Sequence, residues 1–392
     1  MFPKSFFWGT ATSSHQIEGD NKNNDWWEAE QKGLVPHKSA KVCDSYKRYE
    51  EDFDLAKTMA NNAHRFSIEW SRVEPEEGKF NEEAIGHYRK ILQALHARGL
   101  EPFVTLHHFT NPIWFARKGG WTNKKAPEYF ERYVNFVASR LGSGIHYWAT
   151  INEPIIAIRQ GYLRGIWPPF HKGDFLGFFR VLENMAEAHK RAYRVLHQIN
   201  NSPQVGIAQS VNYFEAEGGA LKLFNGLLVW IFRYLKNEWF LDKIKNHQDF
   251  IGLNYYNHYK VSLVKGKYQD GKERSDFGWE IYPKGIYHVA KEAYARYKKP
   301  IYITENGISD ADDDQRPDFL KEHLFWLHKA IEDGADVRGY FHWSLLDNFE
   351  WAEGFTQRFG LAEVDFETFE RKLRPSGRLY GEICKNNKIK SP

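Results

Sequence analysis

Two stretches decide the fold: Tyr147-Trp148-Ala149-Thr150-Ile151-Asn152-Glu153-Pro154 and Ile301-Tyr302-Ile303-Thr304-Glu305-Asn306-Gly307. Each is a short run of aromatic and β-branched residues, the composition of a buried strand, and each ends on a glutamate. Strands that stop at a carboxyl group and pass directly into Pro or Gly deliver that group to the rim of a sheet. Two carboxyls brought from separate strand ends into one cleft can divide acid and nucleophile duties.

Working outward from these two, six more apolar or β-branched runs appear, and all eight fall at 7–13, 63–68, 102–106, 147–151, 205–210, 250–253, 301–304 and 338–343. Helical spacing of apolar residues fills the intervals at 46–60, 82–98, 127–141, 175–200, 284–297 and 317–332. Gly99 and Gly142 close two of these helices, while Pro127 and Pro317 stand where first turns tolerate proline. The alternation predicts a parallel sheet closed into a single (β/α)8 TIM barrel, with the active site at the C-terminal ends of the strands. No repeat, linker or low-complexity tract divides the chain, so 1–392 reads as one catalytic domain.

Composition narrows the function. A net charge of +3 with no basic stripe or tail argues against nucleic acid. The acidic run Asp310-Asp312-Asp313-Asp314 reads as a solvated loop. No charged leader with an apolar core opens the sequence, and no run of about 18 apolar residues spans a membrane, so a cytoplasmic enzyme is expected. The two cysteines, Cys43 and Cys384, carry no metal-ligand spacing. They fall at opposite ends of a barrel, which makes a disulfide geometrically poor. Adjacent His107 and His108 alternate faces on a strand and have no third ligand nearby, so no metal is expected. The run Leu227-Leu228-Val229-Trp230-Ile231-Phe232 reads as a buried helix, with a homo-oligomer interface as the alternative. The chain's 14 Trp, 21 Tyr and 29 Phe exceed the needs of packing; most of these rings read as filling a large core, and flat rings also suit sugar faces.

Further motifs extend the pattern: Phe6-Phe7-Trp8-Gly9-Thr10-Ala11-Thr12-Ser13-Ser14-His15-Gln16-Ile17-Glu18-Gly19, His64-Arg65-Phe66-Ser67-Ile68-Glu69-Trp70, Leu106-His107-His108-Phe109, Gly252-Leu253-Asn254-Tyr255-Tyr256 and Trp343-Ser344-Leu345-Leu346-Asp347-Asn348-Phe349-Glu350-Trp351. Together with Asn152-Glu153-Pro154 and Thr304-Glu305-Asn306-Gly307, and in this order, they make the chain resemble the retaining β-glycosidases of glycoside hydrolase family 1, typified by β-glucosidases. The resemblance implies that Glu305 is the nucleophile and Glu153 the general acid/base, with carboxyls about 5 to 5.5 Å apart. It places Arg65, Tyr256, Asn152 and Asn254 in support of them. It makes Gln16, His108, Asn152, Glu350 and Trp351 polar sugar contacts, Trp343 the apolar plate, and Phe359 a further member of the binding site.

What the resemblance implies is hydrolysis of terminal, unphosphorylated β-D-glucosides, with β-fucosides and β-galactosides also expected, and without a cofactor. Relatives that cleave 6-phosphorylated glycosides carry serine where this chain has Glu350, followed by a lysine and a tyrosine; here Gln357 and Phe359 stand in that neighbourhood. Intact Glu153 argues for O-glycosides over thioglucosides. Phe109 replaces a common tryptophan, and the segments between 210 and 250 and between 256 and 301 are short, which predicts an open aglycone side. A transglycosidase and a non-catalytic sugar-binding barrel remain the alternatives.

Overall fold

A computed structural model describes residues 1–199, 202–271 and 273–389. Eight strands, β1 (Phe7–Ala11), β2 (Ala63–Ser67), β3 (Glu101–His107), β4 (Tyr147–Asn152), β5 (Gln204–Ala216), β6 (Ile251–Ser262), β7 (Ile301–Asn306) and β8 (Val337–Trp343), pair in parallel in chain order. The pairing of β8 with β1 and of β5 with β6 closes the ring, so the chain forms a (β/α)8 barrel.

Each strand is followed by helix. The principal ones are α1 (Ser45–Thr58), α2 (Glu82–Ala97), α3 (Ala126–Leu141), α4 (Phe175–Ile199), α5 (Lys222–Arg233), α6 (Lys284–Tyr297), α7 (Arg316–Glu332) and α8 (Pro375–Asn386). The expected helix at 175–200 is α4; Asn200 lies outside the described residues. Local chemistry explains the boundaries. The Asn81 side chain accepts from the backbone N–H groups of Glu83 and Ala84 at the start of α2. Beyond its C-terminus Gly99 turns the chain with φ +67°. Between these signals Ile85, Tyr88, Leu92 and Leu95 form the buried stripe that seats α2 on the barrel. Truncating Leu92 to Ala would cost about 3 kcal/mol.

Alternation along the strands sorts side chains between two cores. On β3, Val104 and Leu106 join the core shared with the helices, whereas Phe103 points into the barrel. There it meets Tyr147, Phe250, Tyr302 and Phe341, with ring centroids 5.1–5.5 Å apart. This aromatic floor fills the barrel below the site, so the mouth is a cavity with a solid base.

Two sequence expectations are corrected here. The runs read as 205–210 and 250–253 extend well past the barrel: β5 and β6 stay paired out to Ala216 and Val261, and β6 also pairs with a short antiparallel strand, Gly266–Tyr268. The stretch expected to form a buried helix is α5, but its apolar stripe faces outward, with Leu223 89% and Trp230 53% exposed. Only Asn225 is buried on α5. Its side chain anchors the helix by donating to the Glu217 carbonyl and accepting from the Leu263 N–H. Periodicity fixed the helix but not which side faces the protein.

Both cysteines are free and buried. Cys43 lies against the Asp347 carbonyl, past the end of β8, while Cys384 lies beside Asn61, just before β2. They therefore sit at opposite ends of the barrel. Among the described residues no helix is long and apolar enough to cross a membrane.

Candidate active site

The mouth of the barrel owes its chemistry to irregularities at the strand ends. On β7, Tyr302 points inward while Ile301 and Ile303 face the helices. Strict alternation would turn residue 304 inward and 305 away. A shift of register against β8 between Ile303 and Asn306 breaks that alternation, and both Thr304 and Glu305 reach the mouth. Similar shifts fall between Ala149 and Asn152 on β4 and between Leu253 and Asn254 on β6. Each precedes a residue of the site. Gly307 is required at the next position because a Cβ there would overlap the Trp343 carbonyl.

Glu305 is 5% exposed and held by two donors. Arg65, fully buried on β2, donates Nη1 to Oε1 at 2.6 Å, and the Tyr256 hydroxyl donates to Oε2 at 3.0 Å. Arg65 is itself fixed by the Asn152 amide oxygen at 2.7 Å, the Thr304 carbonyl at 3.0 Å and the Thr105 hydroxyl at 3.1 Å. Burial raises the Glu305 carboxyl above its ordinary range, and Arg65, Tyr256 and Asn254 oppose that rise.

Glu153 has a different environment. It precedes the short helix Pro154–Ile158 in a left-handed conformation, φ 43° and ψ 55°, with its N–H bonded to the Ala208 carbonyl. A non-glycine residue in that region is strained, and strain of this kind gathers where side-chain direction matters. Its Oε1 accepts one side-chain bond, from Asn254 Nδ2 at 3.0 Å. Burial, followed by the charge of Glu305, pushes it up to about 7. Asn254 contacts Asn152 at 3.2 Å and also lowers Glu305, so one amide serves both carboxyls. The Thr304 hydroxyl, donating to Asn254 Oδ1 at 2.6 Å, fixes which way that amide points.

A cavity of about 430 Å³ opens over the pair, within the range of small-molecule clefts. Gln16, His108, Asn152, Tyr256, Trp343, Glu350, Trp351 and Phe359 all line it, so every residue expected at the sugar site from sequence is gathered there. Gln16 is locked by Ser13, Asn348 and the Phe349 carbonyl and reaches Glu350 at 3.3 Å. The His108 ring lies near-parallel to Trp343 and Trp351, at 12° and 11°. Burial holds His108 neutral, with Nε2 against the Asn152 amide and Nδ1 without a protein partner. His107 turns to the opposite face and meets Asn111 and Trp121.

Burial and the charges of Glu305 and Glu153 push Glu350 up to about 8. Nearby, Gln357 accepts from the Ser309 hydroxyl at 2.8 Å and Phe359 is buried.

Sequence reasoning missed part of the site. Thr105 and Thr304 are interior strand positions with nothing in their local pattern to mark them. Lys236, partly buried, sits close enough to Glu153 to lower it. It lies on a π-helical turn, Tyr234–Glu238, after a helix whose orientation the sequence could not give. Trp167, Arg159 and Lys267 also line the cavity.

A (β/α)8 barrel with two carboxyls at its mouth, Glu305 buried and paired with a guanidinium and Glu153 half-buried, strained and pushed up to about 7, under near-parallel aromatic rings, defines the class of barrel glycosidases. Comparison with known proteins then places the chain. The pattern of the family described as Glycosyl hydrolase family 1 matches residues 1–219 and 236–389, and the chain belongs to that family of glycoside hydrolases. Beta-glucosidase A of Thermotoga maritima is 33% identical over 98% of this chain and 98% of its own length, and a beta-galactosidase of Sulfolobus acidocaldarius is 32% identical over 99% and 96%. Among solved structures, a beta-glycosidase from Pyrococcus horikoshii superposes with a TM-score of 0.93 at 43% identity, covering 100% of this chain and 96% of that one. A beta-glucosidase from Thermotoga maritima in complex with glucoimidazole gives 0.94 at 32% identity, over 99% of each chain. Residues 220–235, which hold α5, fall outside the family pattern.

Proposed function

We propose that the chain is a single catalytic unit that hydrolyses terminal, unphosphorylated β-D-glucosides, with β-fucosides and β-galactosides as further substrates, through a covalent glycosyl-enzyme. The observation that carries this reading is the unequal support of the two carboxyls. Glu305 has a guanidinium and a phenol on its two oxygens, both of which oppose the rise that burial imposes; Glu153 has one amide and is pushed up to about 7.

In the first half-reaction a Glu305 oxygen bonds to the anomeric carbon, the bond to the aglycone oxygen breaks, and Glu153 gives its proton to that oxygen. Esterification removes the Glu305 charge, so Glu153 ionises more easily. It then takes a proton from water as the water oxygen attacks the anomeric carbon and Glu305 is released. Asn152 is assigned to the sugar 2-hydroxyl, where positive charge develops on the ring; the bonds its amide oxygen accepts from Arg65 and Asn254, which fix its orientation, support this. Names of the relatives, beta-glucosidase and beta-galactosidase, support the sugar range. Free, buried thiols accord with a reducing cytoplasmic setting.

The test compares wild type with Glu305→Ala on nitrophenyl β-glucoside, β-galactoside, β-fucoside, β-glucoside 6-phosphate and α-glucoside. Release from the three unphosphorylated β-substrates, abolished by the substitution, supports the reading; equal release by both proteins overturns it.

A further inference from the structure

The cavity over the two carboxyls is electrically divided. Glu305, Glu350 and the exposed Glu353, which is close enough to Glu350 to raise it, lie with the aromatic plates on the sugar side. Beyond Glu153 the same cavity is lined by Arg159, Lys236 and Lys267. Three unconnected segments supply these cations. Arg159 opens the π-helical turn Arg159–Arg164, directly after the short helix Pro154–Ile158 that follows Glu153. Lys236 lies on the second π-helical turn, and Lys267 on the short strand that pairs with the outer part of β6. Interruptions of this sort in helices are frequent at functional sites.

The cations are near enough to repel one another: Arg159 and Lys267 both disfavour the charged form of Lys236, and Arg159 does the same to Lys267. Such a group is ordinarily neutralised, as Arg72 is by Glu18 at 2.7 Å and Arg296 by Asp242 at 2.6 Å. Here Lys236 Nζ donates only to the Ser210 hydroxyl at 2.9 Å, and Lys267 Nζ stands over the Tyr259 ring at 3.7 Å. Among the described residues no carboxylate oxygen lies within 4.0 Å of any of the three. Burial, only partly offset by the pull of Glu153, brings Lys236 down to about 8. Tuning Glu153 accounts for Lys236 alone. It leaves Arg159 and Lys267, both exposed at the rim, without a role in the chemistry.

We propose that the space beyond Glu153 is a subsite for an aglycone bearing an anionic group, a carboxylate or a phosphate, held by Arg159, Lys267 and Lys236. The proposal rests on the glycosidase reading and names its substrate class: β-glycosides of acidic alcohols or phenols. Without these cations the charge of Glu305 would disfavour such an aglycone, so a preference for it is a direct sign of the subsite.

The probes are non-cleavable β-thioglucosides whose phenyl aglycone carries a 4-carboxylate, a 4-phosphate or a neutral 4-carboxamide, with binding read by calorimetry. Wild type is expected to bind both anions about tenfold more tightly than the amide. The Arg159→Gln/Lys267→Gln double variant should bring that ratio to about one. In wild type the ratio should also shrink as NaCl rises, a readout that needs no substitution. Anions bound no better than the amide, or an advantage that survives the double variant, would overturn the proposal. The ratio between the carboxylate and phosphate arms assigns the source of the charge. Hydrolysis of the matching O-linked amide glucoside tests the glycosidase reading separately, because it depends on Glu153 and Glu305 rather than on these cations.

Discussion

Replacing Glu305 by Gln should lower the pKa of Glu153. In the free site Glu153 is raised from 4.5 to about 7, with burial the first cause and the charge of Glu305 the second. Two unit charges about 5.3 Å apart, the spacing expected of a retaining pair, interact at an effective dielectric constant of about 20 by about 3 kcal/mol, or about 2 pKa units. Burial is the larger contributor, so the share of Glu305 is nearer one unit. The substitution also leaves the Arg65 guanidinium without its carboxylate, which adds a positive charge facing the site. Both changes act in the same direction. Glu153 is therefore expected to titrate at about 6 or below in Glu305→Gln. The assay is a carbon-13 NMR titration of glutamate-labelled protein, with the Glu153 resonance assigned by its loss in a Glu153→Gln/Glu305→Gln protein. The sign carries the mechanism: a carboxyl protonated near neutral pH while Glu305 is charged, and ionised once that charge is gone, can act as acid and then as base. An unchanged or higher value in Glu305→Gln would refute the argument.

Tyr256→Phe removes one of the two donors on Glu305; the acid limb of kcat/KM should rise by about one unit and activity should fall about tenfold or more, read from a pH profile. Glu350 has its folded pKa raised to about 8, so the stability tied to its protonated form is complete below its unfolded value of 4.5 and is lost as pH rises through 8. Glu350→Gln should accordingly raise Tm at pH 8, by about 2 kcal/mol in stability, with the gain vanishing near pH 4; a lower Tm at pH 8 would contradict this. Gly307→Ala forces a methyl group against the Trp343 carbonyl and should cost about 3 kcal/mol together with most of the activity, measured by thermal melting and turnover.

The barrel was legible because strand and helix periods differ, and each of the eight expected runs overlaps a strand, although β5 and β6 run well beyond their expected ends. The two glutamates were legible because each closes a buried run at the end of a strand. What local pattern could not supply was orientation. The stripe of α5 has the period of a buried helix, yet it faces outward because Asn225 provides the anchor. Glu305 reaches the mouth through a shift of register, which depends on the neighbouring strand rather than on the sequence of β7. Arg65 and Tyr256 came from family resemblance, and the structure brings both onto Glu305. Arg159, Lys236 and Lys267 are far apart in the chain, and each alone looks like an ordinary surface cation. Only the outward extension of β5 and β6, with its short third strand, brings them to one wall.

The measurement that bears most directly on the claim that Glu305 carries the sugar is trapping with 2,4-dinitrophenyl 2-deoxy-2-fluoro-β-glucoside, followed by mass spectrometry of the digested protein. A single fluoroglucosyl group on the peptide containing Ile303-Thr304-Glu305-Asn306, formed as activity is lost, is the predicted result. A label on Glu153 or Glu350, or inactivation with no label on Glu305, would contradict it.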